Sequence, residues 1–285
     1  MFCARKAPGR ITNRIFDRLN AYPFMSVIKN SLLKILGEKK YLETLCTSFQ
    51  TLLGLKLLAK ENYQDVYFLK QHVRTGDTCV DIGAHLGYYC FELSRLVGNS
   101  GTVYAVEPIS KFNSVIERYM NSHPFPALRL LKVALGGEGK EVQMGIPQVG
   151  ARKRFAYAKI IEKNDHFTFV ETELVPNEEP NALLAGLTRI DFIKCDVEGF
   201  EVRLFTKMLP TLERFQPKLL CELGTAEERQ KFAELVKPLG YSCYRLHEGK
   251  WESMDPYGDK TALSHNHYFL TEEHVSARPD LIRRG

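Results

Sequence analysis

The chain has 285 residues, 44% of them hydrophobic and 26% charged, which suits a globular domain with an appendage and excludes a low-complexity or disordered protein. No apolar stretch approaches the roughly 20 residues needed to span a bilayer. The net charge is +5, but residues 1–60 hold eleven Lys/Arg against three Asp/Glu, or +8, which leaves −3 for the rest. Composition therefore implies no nucleic-acid partner.

Residues 1–60 read as a basic helical N-terminal extension. In MFCARKAPGRITNRIFDRLN, the basic residues Arg5, Lys6, Arg10, Arg14 and Arg18 are separated by apolar ones. That pattern fits an amphipathic helix on an anionic membrane surface. It also fits an organelle transit peptide or a solvated helical appendage. No apolar core follows the early charges as a secretory signal requires. Seven cysteines, with no C-x-x-C pair, read as free thiols in a reducing compartment rather than a zinc site. The expected location is cytoplasmic, with residues 1–36 leaving organelle targeting or peripheral membrane association open.

Apolar residues at helical spacing predict a helix around Val27–Leu36 that Gly37 stops, a second over Leu52–Leu58, and a third from Asn62 to His72. From Asp77 onward, strand-like and helix-like runs alternate. Strands are expected at 78–82, 102–106, 128–134, 190–195, 218–222, 241–246 and 267–270. Helices are expected at 88–97, 112–120, 201–212 and 226–239. Alternation of this kind implies right-handed crossovers and a mainly parallel sheet covered on both faces. The last two strands lack a helix between them and are expected to form an antiparallel edge joined by the loop 247–266. Residues 61–285 thus read as one α/β domain. It is interrupted at 137–189 by an insertion containing EVQMGI, RFAYAKI and HFTFVETEL, three strand-like pieces at the carboxyl edge of the sheet.

Three segments carry the chemistry. Asp81-Ile82-Gly83-Ala84-His85-Leu86-Gly87 follows the first strand and opens a helix. Its glycines permit a tight turn close to a ligand, and the amides of a helix start suit the carboxylate of an amino-acid moiety. The G-x-x-x-G spacing departs from the G-x-G-x-x-G of a pyrophosphate cradle. Glu107 ends the second strand, 26 residues after Asp81, where an acid accepts two hydrogen bonds from a ribose diol. Lys194, Asp196, Glu198 and Glu201 crowd the strand-to-helix junction IKCDVEGFE, and ligands of open parallel sheets bind at such ends. Asp196 or Glu198 could alternatively cap the next helix. Glu222, at the end of KLLCE, either joins this acidic group or caps the helix after it.

With these residues in place, the chain resembles the FkbM-type class I methyltransferases. The resemblance is carried by VDIGAHLGYY, AVEP, the VALGG turn from Val133 to Gly137, FIKCDVEGFE and KLLCELG, and it spans roughly residues 60–270. It implies a Rossmann-like sandwich with a mainly parallel seven-stranded sheet and an antiparallel edge strand. It implies S-adenosyl-L-methionine as cofactor, held by Asp81, Gly83, Ala84, His85, Gly87, Glu107, Pro108, Ala134 and Asp196. It also implies methyl transfer, usually to a hydroxyl oxygen of a sugar, glycan or secondary metabolite. His85 stands where many members have asparagine, and the T-L-D common before the fourth strand has no equivalent in TELVPNEEPNALL.

An alcohol is a poor nucleophile, so a general base is expected: Asp196 or Glu198, with Lys194 orienting the acceptor or stabilising an alkoxide. No metal is required by the spacing, although Asp196 with Glu222 offers oxygen ligands to magnesium. His85, His265 and His267 are the remaining candidates for a base. Three rival readings are an RNA-directed methyltransferase, a nicotinamide-dependent oxidoreductase and a non-catalytic S-adenosylmethionine-binding module. The first lacks the Asn/Asp-Pro-Pro-aromatic turn, and the second lacks the dinucleotide loop. The sequence is compatible with an oligomer and specifies no acceptor.

Overall fold

The structure, a computed structural model, describes residues 23–150, 152–163, 165–258 and 265–283. The basic residues Arg5, Lys6, Arg10, Arg14 and Arg18, together with Cys3, lie outside the described residues.

Two helices come first, α1 (Pro23–Gly54) and α2 (Lys60–His72). Gly37 interrupts α1 with φ 72 and ψ 161, so the expected stop is present as a kink between two helical segments. The expected boundary at residue 60 does not separate two cores. Tyr41, Leu42, Cys46, Phe49 and Leu53 of α1 are buried in the same apolar cluster as Val66 and Leu69 of α2 and the helices that follow.

The alternation then runs β1 (Thr78–Ile82), α3 (Cys90–Val97), β2 (Thr102–Val106), α4 (Ser110–Ser122) and β3 (Leu128–Leu131). After the interruption it resumes with α5 (Pro180–Leu184), β9 (Phe192–Cys195), α6 (Glu201–Phe215), β10 (Lys218–Glu222), α7 (Ala226–Val236), β11 (Ser242–His247), β12 (Lys250–Ser253), β13 (Asn266–Leu270) and α8 (Glu272–Ala277). The main sheet has the order β12-β11-β13-β10-β9-β1-β2-β3. Strands β3, β2, β1, β9 and β10 are parallel, and β13 enters antiparallel between β10 and β11. The expected seven strands are all present. The eighth, β12, is a correction: it lies inside the segment 247–266, expected to be a plain loop, and hairpins onto β11.

Side-chain alternation gives the sheet two different faces. Cys79, Val103, Ala105, Phe192 and Leu220 pack beneath α1 to α4. Val80, Ile82, Ile193, Cys195, Leu219 and Cys221 pack beneath α6 and α7. The six described cysteines are free and buried.

The stretch expected as one strand at 128–134 changes partner part-way. Leu128–Leu131 pairs with β2, whereas Ala134–Leu135 forms β4, which starts a second sheet. That sheet includes β5 (Glu141–Val149), β6 (Arg152–Lys153), β7 (Lys159–Ile160) and β8 (Thr168–Glu178), in the order β4-β8-β5-β6 with β7 also on β5. RFAYAKI holds a 3-10 turn over Phe155–Tyr157, and only its last two residues, β7, are strand. The insertion is clasped to α1 and α4 by Glu38 and Glu171, which both bind Lys111 and Lys153.

Candidate active site

The main sheet changes direction of winding between β1 and β9, and a cleft opens at the carboxyl ends of the strands on either side, as the topology dictates. It measures about 1220 Å³ counting its open mouth. Register delivers the polar side chains in a row. Ile82 pairs with Val106 and Cys195, and Cys195 with Cys221, so Glu107, Asp196 and Glu222 each follow the last paired residue of adjacent strands. Asp81 pairs with Lys194, and Glu222 with Asn266 of β13. Asp81, Glu107, Lys194 and Glu222 share the parity of Cys79, Ala105, Phe192 and Leu220, which places them on the face covered by α1 to α4.

Lys194 is 1% exposed. Its ammonium lies 3.4 Å from Asp196 Oδ2, donates to the Cys195 carbonyl at 3.2 Å, and sits 5.1 Å from the centre of the Tyr89 ring. Burial opposes its charge, but Asp196, Glu222 and Asp81 overcome that and push its pKa up. Glu222 is hydrogen-bonded to Asp196; burial first, and then the neighbouring Asp196, hold its carboxyl well above the usual range. The cluster therefore comprises a carboxyl pair, Glu222 with Asp196, joined by a hydrogen bond that requires one proton between them, and the lysine ammonium, all lining the cleft. The choice left for Glu222 resolves toward the acidic group, because the helix after it is capped by Thr225 in a reciprocal box with Glu228.

Neither Asp196 nor Glu198 caps α6. No side chain among the described residues caps this helix; Glu201, its first residue, which the sequence offers only as part of the motif, instead ties down the turn that precedes it. Its two oxygens accept from the Val197 and Gly199 amides at 2.8 and 3.0 Å, and burial raises its pKa to about 7. Glu198 lines the cleft in left-handed backbone at φ 55, followed by Gly199 at φ 91. The staple made by Glu201 holds this turn in a conformation an L-residue rarely adopts.

Glu107 is buried at the cleft wall, its oxygens accepting from the His85 and Ile109 amides at 2.8 Å each. Burial still lifts its pKa to about 8. A carboxylate offers about four lone-pair sites, so two remain for a ligand. Asp81 Oδ2 is buried and has no hydrogen-bond partner among the described residues, and burial raises this carboxyl to about 7.

The glycine loop works differently from expectation. The amides of Gly83 and Ala84 both donate to the Val106 carbonyl (2.9 and 3.0 Å), that of His85 to Glu107, and that of Gly87 to Ala84 (2.8 Å). These four amides are spent within the protein and cannot also cradle a carboxylate. Gly83, at φ 81, is required because a Cβ there would lie 1.9 Å from the Asp196 carbonyl oxygen. Gly87 does not line the cleft; a Cβ there would meet the Phe91 ring at 2.2 Å. Gln50 of α1, another residue missed from sequence, donates to the Gly87 carbonyl at 3.2 Å and locks the loop from above.

Gly83, Ala84, His85, Pro108 and Ala134 do line the cleft. The His85 ring packs against Phe112 at 4.3 Å, its Nε2 is buried without a hydrogen-bond partner among the described residues, and burial lowers its pKa to about 4. His265 and His267 do not line the cleft; His267 is buried and its Nδ1 bonds to the His265 carbonyl at 2.8 Å. The opposite wall is supplied by Phe49 and Tyr63 from α1 and α2 and by Met144, Phe155, Lys159 and Ile160 from the insertion. No group of three metal-ligating side chains occurs among the described residues.

The profile of the methyltransferase FkbM domain matches residues 81–248, more than half of the chain. No curated protein matches the sequence. Among solved structures, the methyltransferase FkbM of Methylobacillus flagellatus is 18% identical with a TM-score of 0.42, over 75% of this chain and 51% of that one, so the chain spans about half its length. A SAM-dependent O-methyltransferase from Thermotoga maritima is 14% identical over 75% of this chain and 71% of that one, with a TM-score of 0.41. Fibrillarin of Aeropyrum pernix, with natively bound S-adenosyl-L-methionine, is 12% identical over 72% and 73%, with a TM-score of 0.40.

Proposed function

Since the chain belongs to the FkbM methyltransferase family and so uses S-adenosylmethionine on a class I fold, we propose that it is an O-methyltransferase acting on a hydroxyl of a sugar, glycan or secondary metabolite, with Asp196 as proton acceptor. The observation that carries this reading is the trio of Asp196, Glu222 and Lys194 at the cleft floor. An amine acceptor arrives as its own nucleophile once neutral, whereas a hydroxyl needs a base aimed at its proton as the bond forms.

The cleft residues fit the cofactor. Asp81, with one buried oxygen lacking a partner, suits the ammonium of the methionine moiety. Glu107 suits the ribose diol through its two remaining lone-pair sites. Pro108 and Ala134 supply wall surface for the adenine ring. The cofactor supplies a sulfonium-bound methyl group, transferred to oxygen with release of the thioether. Asp196 takes the hydroxyl proton. Lys194 stabilises the oxygen while charge develops on it. Glu222, hydrogen-bonded to Asp196, holds that carboxyl in place at the cleft floor. Glu198, on the same wall, orients the acceptor. The insertion and the α1–α2 pair form the acceptor side, where alignment of the reacting atoms is set.

Asp196→Asn and Glu198→Gln, each assayed for turnover with S-adenosylhomocysteine binding measured separately, test the assignment. Full turnover in Asp196→Asn removes the proton acceptor, and full turnover in Glu198→Gln removes the orienting role. Peripheral membrane contact through residues 1–36 also belongs to this reading, supported by the +8 charge of residues 1–60.

A further inference from the structure

The turn between α1 and α2 carries an exposed apolar cluster that the cleft does not use. The α1 helix ends with the Leu57 amide donating to the Leu52 carbonyl (2.8 Å) and the Lys56 amide to that of Leu53 (2.9 Å), with Lys56 in left-handed backbone at φ 58. This double closure usually pairs two apolar side chains, those in the positions of Leu52 and Leu57. Yet Leu52 is 38% exposed and Leu57 67% exposed, and Leu55, outside that pair, is 63% exposed. Exposed Lys56 and Lys60 stand beside them; the nearest acids in sequence are Glu43 and the exposed Glu61 at the start of α2, so Lys56 is the cation within the turn itself. Phe49 and Leu53, buried, fix the inner side of the same helix, and Tyr67 Oη donates to the Leu58 carbonyl at 3.3 Å to brace the turn.

We propose that residues 52–60 dock the protein on an anionic lipid surface, with Leu52, Leu55 and Leu57 at the acyl boundary and Lys56 and Lys60 at the headgroup phosphates. The closed backbone matters, because the amides of Leu55, Lys56 and Leu57 are all satisfied within the turn and enter an apolar layer without being stranded. Leucine insertion supplies burial, and each lysine adds attraction to anionic lipid. A protein partner is the weaker fit: a stable interface buries about 800 Å² per partner, which three leucines on one turn do not offer. Phe49 and Tyr63 line the cleft from the same two helices, so the docking element and one cleft wall are built on the same elements.

The test is co-sedimentation of the full chain with vesicles of phosphatidylcholine, with and without phosphatidylserine. The wild type sediments, and more strongly with phosphatidylserine. Leu55→Ser with Leu57→Ser weakens partitioning roughly tenfold or more while thermal melting and S-adenosylhomocysteine affinity stay unchanged. Lys56→Gln with Lys60→Gln removes most of the preference for phosphatidylserine. The proposal is overturned if the wild type does not sediment, or if the leucine pair has no effect. It is also overturned if neutralising Arg5, Lys6, Arg10, Arg14 and Arg18 alone abolishes binding while the leucine variant binds normally. Leucine-dependent dimerisation without vesicle binding would assign the patch to a second copy instead.

Discussion

Asp196 sits between the Lys194 ammonium and the Glu222 carboxyl that burial holds well above the usual range, and it lines the cleft. Asp196→Asn keeps the shape but cannot accept a proton, so kcat should fall about 10²–10⁴-fold with cofactor affinity largely retained. Glu107 gives a prediction of a different kind. With its pKa lifted to about 8 by burial, the free protein carries a proton there at neutral pH, whereas a diol donating two hydrogen bonds favours the ionised form. S-adenosylhomocysteine should therefore bind more tightly as pH rises from 7 to 8, with release of a proton visible as a buffer-dependent calorimetric enthalpy. Glu107→Gln should flatten that part of the profile; an unchanged slope would assign the titration elsewhere. Gly83→Ala drives a methyl into the Asp196 carbonyl and forces a left-handed φ on alanine. A loss of about 2 kcal/mol or more is expected in chemical denaturation.

At the scale of elements, the turn from Asp196 to Phe200 depends on one side chain. Glu201→Ala removes the acceptor for two amides, which should cost about 1–3 kcal/mol of stability and misplace Glu198, with a larger effect on turnover than on cofactor affinity. The strands at 78–82, 102–106 and 218–222 were legible to the residue because buried parallel strands are short apolar runs bounded by turn residues. Asp81, Lys194 and Glu222 were legible as polar residues inside such runs. Their mutual placement was not. Asp196 and Glu222 meet only because Cys195 and Cys221 are in register, and single-sequence reading carries no register between β9 and β10. The change of partner at Lys132 and Val133 was hidden for a related reason: LRLLKVAL holds no glycine, proline or other turn residue, and its two cations, Arg129 and Lys132, do not mark where one sheet ends and another begins. The glycine loop was read from its residue types, yet its amides turned inward, because Val106 and Glu107 offered acceptors that only the paired strand supplies.

At the scale of the molecule, buried ionisable groups set an opposed pH dependence. His72 is buried among Phe68, Phe192, Trp251 and Tyr268 and its pKa is held well below the ordinary value. His85, His267 and His274 are lowered to about 4. As pH falls below about 6.5 the unfolded chain takes up these protons and the folded chain does not, so stability is lost toward acid. Asp81, Glu107 and Glu201 act in the other direction: raised to about 7, 8 and 7, they favour folding below their unfolded values, and that contribution is lost as pH rises to 8. Above pH 6.5 the histidine contribution is constant while the carboxyl contribution is still being lost, so the ligand-free protein should melt lower at pH 8 than at pH 6.5, and saturating S-adenosylhomocysteine should narrow that gap.

On the proposed reading, the carboxylate row at the sheet's carboxyl edge serves methyl transfer to oxygen, with Asp196 receiving the proton. The most direct measurement is the mass and bond type of the product formed from S-adenosylmethionine bearing a deuterated methyl group in a lysate of the source organism, with wild type and Asp196→Asn compared. The expected result is a labelled methyl ether that appears with the wild type and is nearly absent with the variant. A label found on nitrogen or carbon, or equal labelling by the variant, would overturn the assignment of Asp196 to oxygen-directed transfer.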